Sequence, residues 1–263
     1  MKTQLRRNTQ LAARSRAQQH LGTGTDYFVA DVHLAPDAPD LSDRFVRFLD
    51  RVRHEAGRLF LLGDIFDIWV GRKQARMPYA ARILEEFREL ALAGVEVHYL
   101  AGNRDFNFDA RVSGGPAAEF LPEIMSVESG SRTLYLTHGD LLCTRDRSYQ
   151  RARRIVRSPF VRGLMDGLPL RVTQFIAEGY RRLSKRAVAR KSARVISMDL
   201  SWVKERLKRG YDAVICGHSH GVARYKIPLP GGRLGEFVTL GDWRREGVYL
   251  VAESGDLTLR RFR

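Results

Sequence analysis

Leu59-Phe60-Leu61-Leu62 runs directly into Gly63-Asp64-Ile65-Phe66-Asp67. Four consecutive large apolar residues, ended by a glycine turn, read as a short strand buried on both faces. A carboxylate placed just after such a strand sits where the loops of an α/β sheet converge on one crevice. The same arrangement recurs along the chain. Tyr27-Phe28-Val29-Ala30 precedes Asp31-Val32-His33, and the apolar run at 95–100 precedes Gly102-Asn103-Arg104-Asp105. Leu134-Tyr135-Leu136 precedes His138-Gly139-Asp140, and Ala213-Val214-Ile215 precedes Gly217-His218-Ser219-His220.

Helical patterns lie between several of these runs. Residues 43–55 place Phe45, Phe48, Leu49 and Val52 on one face, and residues 77–93 open with Pro78 and end against Gly94, which suits a helix start and stop. Strand alternating with helix predicts an α/β layer fold. From 149 to 209 the chain reads as helices broken at Pro159, Gly163, Gly167, Pro169 and Gly179. Two hairpins follow: 224–229 with 236–240 around Pro230-Gly231-Gly232, and 248–252 with 257–260 around Ser254-Gly255-Asp256. The expected organisation is a basic, flexible tail over 1–25 and one α/β domain over 26–263. A helical insertion at about 149–210 interrupts that domain.

The chain has 263 residues and a net charge of +15. Residues 144–210 hold 19 Lys and Arg against 5 Asp and Glu, so nearly all the excess lies in the helical insertion. Such a segment should face an anionic partner (a phosphorylated substrate, anionic lipid or nucleic acid), the alternative being a solvated helical surface. Cys143 and Cys216 are too few and too far apart for a disulfide scaffold or a zinc site. They read as buried, reduced thiols in a cytoplasmic protein. No stretch approaches the roughly 18 apolar residues of a membrane span, and the N-terminus lacks the apolar centre of a secretory signal.

The five stretches that follow strands offer carboxylates, imidazoles and one amide oxygen. That donor set suits borderline divalent metals such as manganese, iron or zinc, and not a calcium cage of oxygens. In Asp31-x-His33 and His218-x-His220, a locally extended backbone would put both side chains on one face. Two metals about 3.5–4 Å apart need a bridging carboxylate, and Asp64 is the natural candidate. Together they would lower the pKa of a shared water and clamp phosphoryl oxygens. Singly each motif is weak: D-x-H is more often structural, and Gly102-Asn103 alone would be a turn. All five in order, each after a strand, are not explained that way. His20, His54 and His98 stand apart and read as surface or core residues.

The ordered set D-x-H, G-D-x-x-D, G-N-x-D, H-G-D and G-H-x-H resembles the calcineurin-like metallophosphoesterase superfamily. The resemblance implies two mixed β-sheets flanked by helices, here with a helical lid insertion. It also implies two divalent metal ions, manganese foremost and iron or zinc as alternatives. By that pattern Asp31, His33, Asp64 and His220 hold one ion, and Asp64, Asn103, His138 and His218 hold the other. A metal-bound hydroxide then cuts a phosphate ester or anhydride. Many members carry a His after the Asn, where this chain has Arg104. Arginine does not usefully donate its proton near neutral pH, but it can hold a phosphate with two parallel hydrogen bonds and stabilise developing charge. Asn103, Arg104 and His138 are the candidate catalytic residues.

Further stretches narrow the resemblance. The segments 63–71, 102–106 and 138–144, with Asp146, Tyr149, Ser184-Lys185, Lys191-Ser192, Met198-Asp199 and Leu240-Gly241-Asp242-Trp243, are similar to the UDP-2,3-diacylglucosamine diphosphatase family of lipid A synthesis. That similarity implies a nucleotide-lipid substrate cut at its pyrophosphate to UMP and a lipid sugar 1-phosphate. It offers Asn103, Arg104, Asp146, Ser184, Lys191 and His218 as substrate contacts. It also implies a protein, monomeric by preference, on the anionic cytoplasmic face of the inner membrane, with no stable nucleic-acid partner. Phe160, Val161, Leu164, Met165, Leu168, Val172, Phe175, Ile176 and Leu183 would then line an acyl chamber, or simply pack the lid helices together. Arg72-Lys73-Gln74 departs from the family in being basic. Two other readings stay open: a related phosphodiesterase or pyrophosphatase acting on another nucleotide, nucleic acid or phospholipid-like substrate, and a nucleic-acid-binding module with a vestigial metal site.

Overall fold

The computed structural model describes residues 24–109, 112, 118–189 and 197–263. Residues 1–23 of the expected tail, with His20, and also Lys191 lie outside the described residues, as does the side chain of Ser184. The strands are β1 (Asp26–Val29), β2 (Arg58–Leu61), β3 (Glu96–Leu100), β4 (Glu119–Leu121), β5 (Ile124–Ser129) and β6 (Arg132–Thr137). They continue with β7 (Ala213–Cys216), β8 (Ala223–Pro228), β9 (Leu234–Thr239), β10 (Gly247–Glu253) and β11 (Asp256–Phe262). One mixed sheet has the order β11-β10-β1-β2-β3-β4 and a second the order β5-β6-β7-β9-β8.

Side-chain parity explains why the strands read as unbroken apolar runs. Tyr27 and Val29 of β1, with Leu59 and Leu61 of β2, face one core cluster, while Phe28 and Phe60 face another between the sheets. Each strand is covered on both sides, so period-two alternation disappears from its sequence. The outer face of the first sheet is covered by α1 (Pro39–Glu55) and α2 (Pro78–Leu92), through Phe45, Phe48, Ile83 and Phe87. The second sheet packs Leu134, Leu136, Ile215 and Val238 inward. Its outer face meets Val203 and Leu207 of α6 (Leu200–Lys208). The result is two mixed sheets packed face to face with helices outside.

The segment expected as an insertion, about 149–210, carries α3 (Arg147–Val156), α4 (Pro159–Gly167) and α5 (Leu170–Ala189), and also α6, which packs on the second sheet. Gly163 and Gly179 do not break it: each lies inside a continuous helix. An interior glycine costs only about 1 kcal/mol against about 3 for proline, so the breaks fall at the two prolines and at Gly167, the last residue of α4. Pro159 opens α4, and Pro169 immediately precedes α5. Helix α1 likewise starts at Pro39, a turn earlier than its apolar stripe suggests, because proline at the first position presets the helical φ. Strands β4 and β5 have no counterpart in the sequence reading, since of their residues only Val127 and Ser129 are buried and they leave no long apolar run.

Polar contacts pin the insertion to the sandwich. Lys73 Nζ donates to the carbonyls of Gly167 (3.3 Å) and Leu168 (2.7 Å) at the end of α4. Arg72 pairs with Asp166 at 3.3 Å. Arg181 of α5 reaches Asp67 at 2.6 Å. The basic Arg72-Lys73 pair is therefore matched to an acidic residue and to the negative end of a helix. Phe160, Leu164, Val172, Phe175, Ile176 and Leu183 remain exposed and are not spent on packing the three helices together.

Candidate metal centre

Strands β1, β2 and β3 are parallel neighbours in one sheet, and β6, β7 and β9 are parallel neighbours in the other. Their carboxyl ends carry Asp31, Asp64, Asn103, His138, His218 and Asp242. Because the sheets pack face to face, loops from both converge at one edge of the sandwich. Backbone bonds join the loops beyond the strands: Asp31 N–H donates to Gly63 O (3.1 Å), His33 N–H to Asp64 O (3.0 Å) and Gly217 N–H to His138 O (2.8 Å). Gly63, at φ 85°, and Gly102 lie so close that a Cβ on either would run into the other loop or into Asp64. Glycine is required there by the closeness of the chains.

Asp31, His33, Asp64, His218 and His220 all have positive φ, between 54° and 70°. This corrects the expectation that D-x-H and H-x-H are locally extended. The side chains converge through left-handed turns, and left-handed backbone at non-glycine residues concentrates at functional sites. The correction also explains how the two histidines of Gly217-His218-Ser219-His220 serve different halves of the cluster. His220 Nε2 lies 3.2 Å from His33 Nε2, and these two sit 3.9 and 3.8 Å from Asp31 Oδ1. His218 Nδ1 lies 2.8 Å from Asn103 Oδ1, which is 3.0 Å from His138 Nε2. His138 Nε2 is 3.6 Å from Asp64 Oδ1.

The donor set fits divalent metal. His138 Nδ1 lies 2.9 Å from the Leu62 carbonyl, to which it can only donate. Its Nε2 is then left with a lone pair facing the amide oxygen of Asn103. Asp31 Oδ1 is buried with no hydrogen-bond partner. Burial, and then His220, push His33 down to about 2, and burial, followed by His138, brings His218 down to about 3. Both imidazoles therefore stay neutral with lone pairs available. Burial pushes the Asp31 carboxyl up to about 8 and raises Asp64 well above the usual carboxylate range, with Asp105 adding to it. Lone pairs and carboxylates crowded in a dry site call for cationic charge, and Asp31-His33-His220 and Asp31-Asp64-His138 each place three such donors within reach of one ion.

Several supporting residues were not singled out from the sequence. Asp67 takes Arg181 and lies 3.7 Å from His33 Nδ1, while Asp242 lies 3.4 Å from His220 Nδ1. Asp105, fully buried, accepts from Ile65 N–H (2.8 Å), Gly102 N–H (2.7 Å) and the Tyr99 hydroxyl. Burial alone would raise Asp140, but His138, Arg157 and Arg153 hold it well below the usual carboxylate range. Asp67, Asp105 and Asp140 each close one of the quoted motifs, which was the available signal. Arg104 donates its backbone N–H to Asp64 Oδ1 (2.8 Å), and its guanidinium lies 4.0 Å from Asp67. Asp146 caps α3, accepting from Tyr149 N–H at 3.0 Å. Cys143 and Cys216 are both buried, and burial pushes the Cys143 thiol up to about 12.

A mixed-sheet sandwich with carboxylate, imidazole and amide donors at its parallel strand ends is the frame of a metal-dependent hydrolase of phosphate esters. The chain belongs to the calcineurin-like phosphoesterase family, whose model matches residues 27–222. Among individual proteins it is similar to the UDP-2,3-diacylglucosamine hydrolase of Edwardsiella ictaluri, 34% identical over 233 residues, or 88% of this chain and 90% of that one. The enzyme of the same name from Actinobacillus succinogenes is 32% identical over 236 residues, 89% of this chain and 98% of that one. Among solved structures, Vps29 of Entamoeba histolytica complexed with zinc aligns with a TM-score of 0.41 at 15% identity, covering 90% of this chain and 97% of that one.

Proposed function

We propose that this chain hydrolyses the pyrophosphate of UDP-2,3-diacylglucosamine, the substrate for which its relatives are named, to UMP and 2,3-diacylglucosamine 1-phosphate. The observation that carries the reading is a juxtaposition. A carboxylate, imidazole and amide cluster lies beneath an insertion that leaves Phe160, Leu164, Phe175 and Leu183 exposed among arginines. A phosphate-cutting centre beside an apolar, basic surface suits a lipid carrying a nucleotide.

In this reading one divalent ion is held by Asp31, His33, Asp64 and His220, and the other by Asp64, Asn103, His138 and His218, with manganese favoured. When bound, such a pair activates water and neutralises phosphoryl charge. The rest falls to the chain. Arg104 has its backbone anchored on Asp64 and its side chain 27% exposed at the cluster. It is free to grip a phosphoryl oxygen pair and to stabilise charge that grows during cleavage. Asp146, Ser184, Lys191 and His218 complete the proposed substrate contacts with Asn103.

The insertion over about 149–210 acts as a lid on a single domain spanning 26–263, with 1–25 as a tail. Its exposed apolar side chains receive the acyl chains. Its exposed Arg151, Arg154, Arg171, Arg182 and Arg186 attract the anionic cytoplasmic leaflet, each contributing roughly 1 kcal/mol near such a surface. Among the described residues no helix is long and apolar enough to cross a membrane, so the proposed attachment is peripheral, as a monomer. The test is UMP release from UDP-2,3-diacylglucosamine by metal-stripped protein, with and without added manganese. Manganese-dependent release is expected. Hydrolysis of a generic phosphodiester without UMP release would reject the substrate and keep the chemistry.

A further inference from the structure

Tyr149, Arg153 and Arg157 are spaced i, i+4, i+8 and form one stripe along α3 and its C-cap. All three point at the loops of the metal centre and not at solvent. The Tyr149 hydroxyl donates to Asp140 Oδ2 (2.7 Å), and Arg153 Nε donates to the same oxygen (2.7 Å). Arg157 Nη2 donates to the carbonyl of Gly102 (2.6 Å) and lies 3.7 Å from Asp140 Oδ2. Both arginines also pair with Glu123, Arg153 at 2.6 Å. The side chains of Arg153 and Arg157 are only 11% and 15% exposed, and that of Asp140 is 3% exposed. Charges buried to that degree hold a structure only when paired and hydrogen-bonded, and here every partner belongs to the sandwich.

What they hold is specific. Gly102 immediately precedes Asn103, and Asp140 follows His138 by two residues. Asn103 and His138 meet each other and His218 in one half of the cluster. No contact of the stripe reaches Asp31, His33 or His220, the other half. We infer that Arg153 and Arg157 are positioning residues that make the first helix of the insertion a buttress for the Asn103–His138–His218 half alone. The inference rests on the metal-centre reading above.

The experiment is a calorimetric titration of manganese into metal-stripped full-length protein, comparing wild type, Arg157→Ala, Arg157→Lys and Glu123→Gln. Thermal unfolding of each metal-free variant is recorded alongside. Wild type should take up two equivalents. Losing an outer-shell partner of a ligand typically weakens metal affinity about 10–100-fold. Arg157→Ala should therefore weaken one equivalent by about that factor and leave the other at its wild-type value. Arg157→Lys retains a donor for the Gly102 carbonyl and should recover most of the loss. Glu123→Gln, which touches neither loop, should weaken the same equivalent by a smaller factor. Two equivalents at wild-type affinity in Arg157→Ala would overturn the inference while leaving the metal centre intact. So would equal weakening of both equivalents, which marks general loosening of the fold. If Arg157→Ala does not fold, Glu123→Gln decides by the same criterion, since one equivalent should weaken while the other keeps its wild-type value. A wild-type protein that takes up no manganese would instead refute the metal-centre reading itself.

Discussion

Replacing Asp105 by alanine would strip several buried donors of one shared acceptor. The carboxylate is fully buried and accepts from Ile65 N–H at 2.8 Å, Gly102 N–H at 2.7 Å and the Tyr99 hydroxyl, with Phe66 N–H more distant at 3.4 Å. Ile65 follows Asp64 and Gly102 precedes Asn103, so one side chain ties together the loops that bear two of the proposed ligands. Each buried donor left unsatisfied costs about 1–3 kcal/mol. Three of them would sum to about 3–9 kcal/mol. Relief from carboxylate desolvation lowers that sum, and loss of a buried polar partner typically amounts to about 3–5 kcal/mol. At roughly 2–4 °C per kcal/mol for a chain of this size, Tm should fall by about 6–20 °C. Urea unfolding of the metal-free variant, paired with a manganese titration, measures both consequences. Stability within about 1 kcal/mol of wild type and undiminished manganese uptake would refute the reasoning, because the two loops would then be held by something else.

Three other outcomes follow from the site. Arg104→Ala should retain its metal, measured by elemental analysis, while turnover falls roughly 10²–10³-fold, the size of losing one charge stabiliser. Metal loss in that variant would show the role misread. Asp64→Ala and His138→Ala should each lose metal and all measurable turnover, and full activity in either would exclude the ligand assignment. The metal-free protein should lose stability as pH rises from about 6.5 to 8, because buried histidines and buried carboxylates oppose each other below that window and the carboxylates act alone within it. His33 and His218 titrate near 2 and 3 when folded, against 6.5 ordinarily. The unfolded chain therefore takes up these two protons as pH drops below 6.5 while the folded chain does not, and the contribution of the two histidines to stability falls. Asp31 titrates near 8 when folded against 3.8 ordinarily, so its contribution falls as pH rises above about 4 and is gone by about 8, and Asp64, raised as well, acts in the same direction. Melting scans from pH 5 to 9 with chelator and with manganese test this. Metal-free stability that does not fall between about pH 6.5 and 8 would reject the buried, proton-holding carboxylates, and manganese should remove that fall.

Much of the fold was legible because its signals are local. A strand covered on both faces must be apolar throughout, so Leu59-Phe60-Leu61-Leu62 announces itself without reference to any neighbour, as does the helix behind Pro78. The donor-bearing motifs were legible for a related reason: each follows a strand directly, and a strand end fixes where its next residues lie. Strands with few buried side chains, such as β4 and β5, left no comparable trace. Glycine was over-read at Gly163 and Gly179, where the penalty is too small to end a helix that tertiary contacts hold.

By itself, then, the sequence determined the strands buried on both faces, the chemistry of the donors that follow them and the crevice they share. The tertiary structure alone decided how those donors divide. His218 and His220 are two residues apart yet join different halves of the cluster, because left-handed turns aim them apart and not along a pleat. It also decided which charges serve the site. Arg153, Arg157 and Arg181 look like any other arginines of a basic insertion. Their partners, Asp140, the Gly102 carbonyl and Asp67, stand 13, 55 and 114 residues earlier in the chain. Local spacing encodes what a residue can donate or accept. Only the packing of distant segments sets what it meets, because burial is what makes a particular ion pair worth forming.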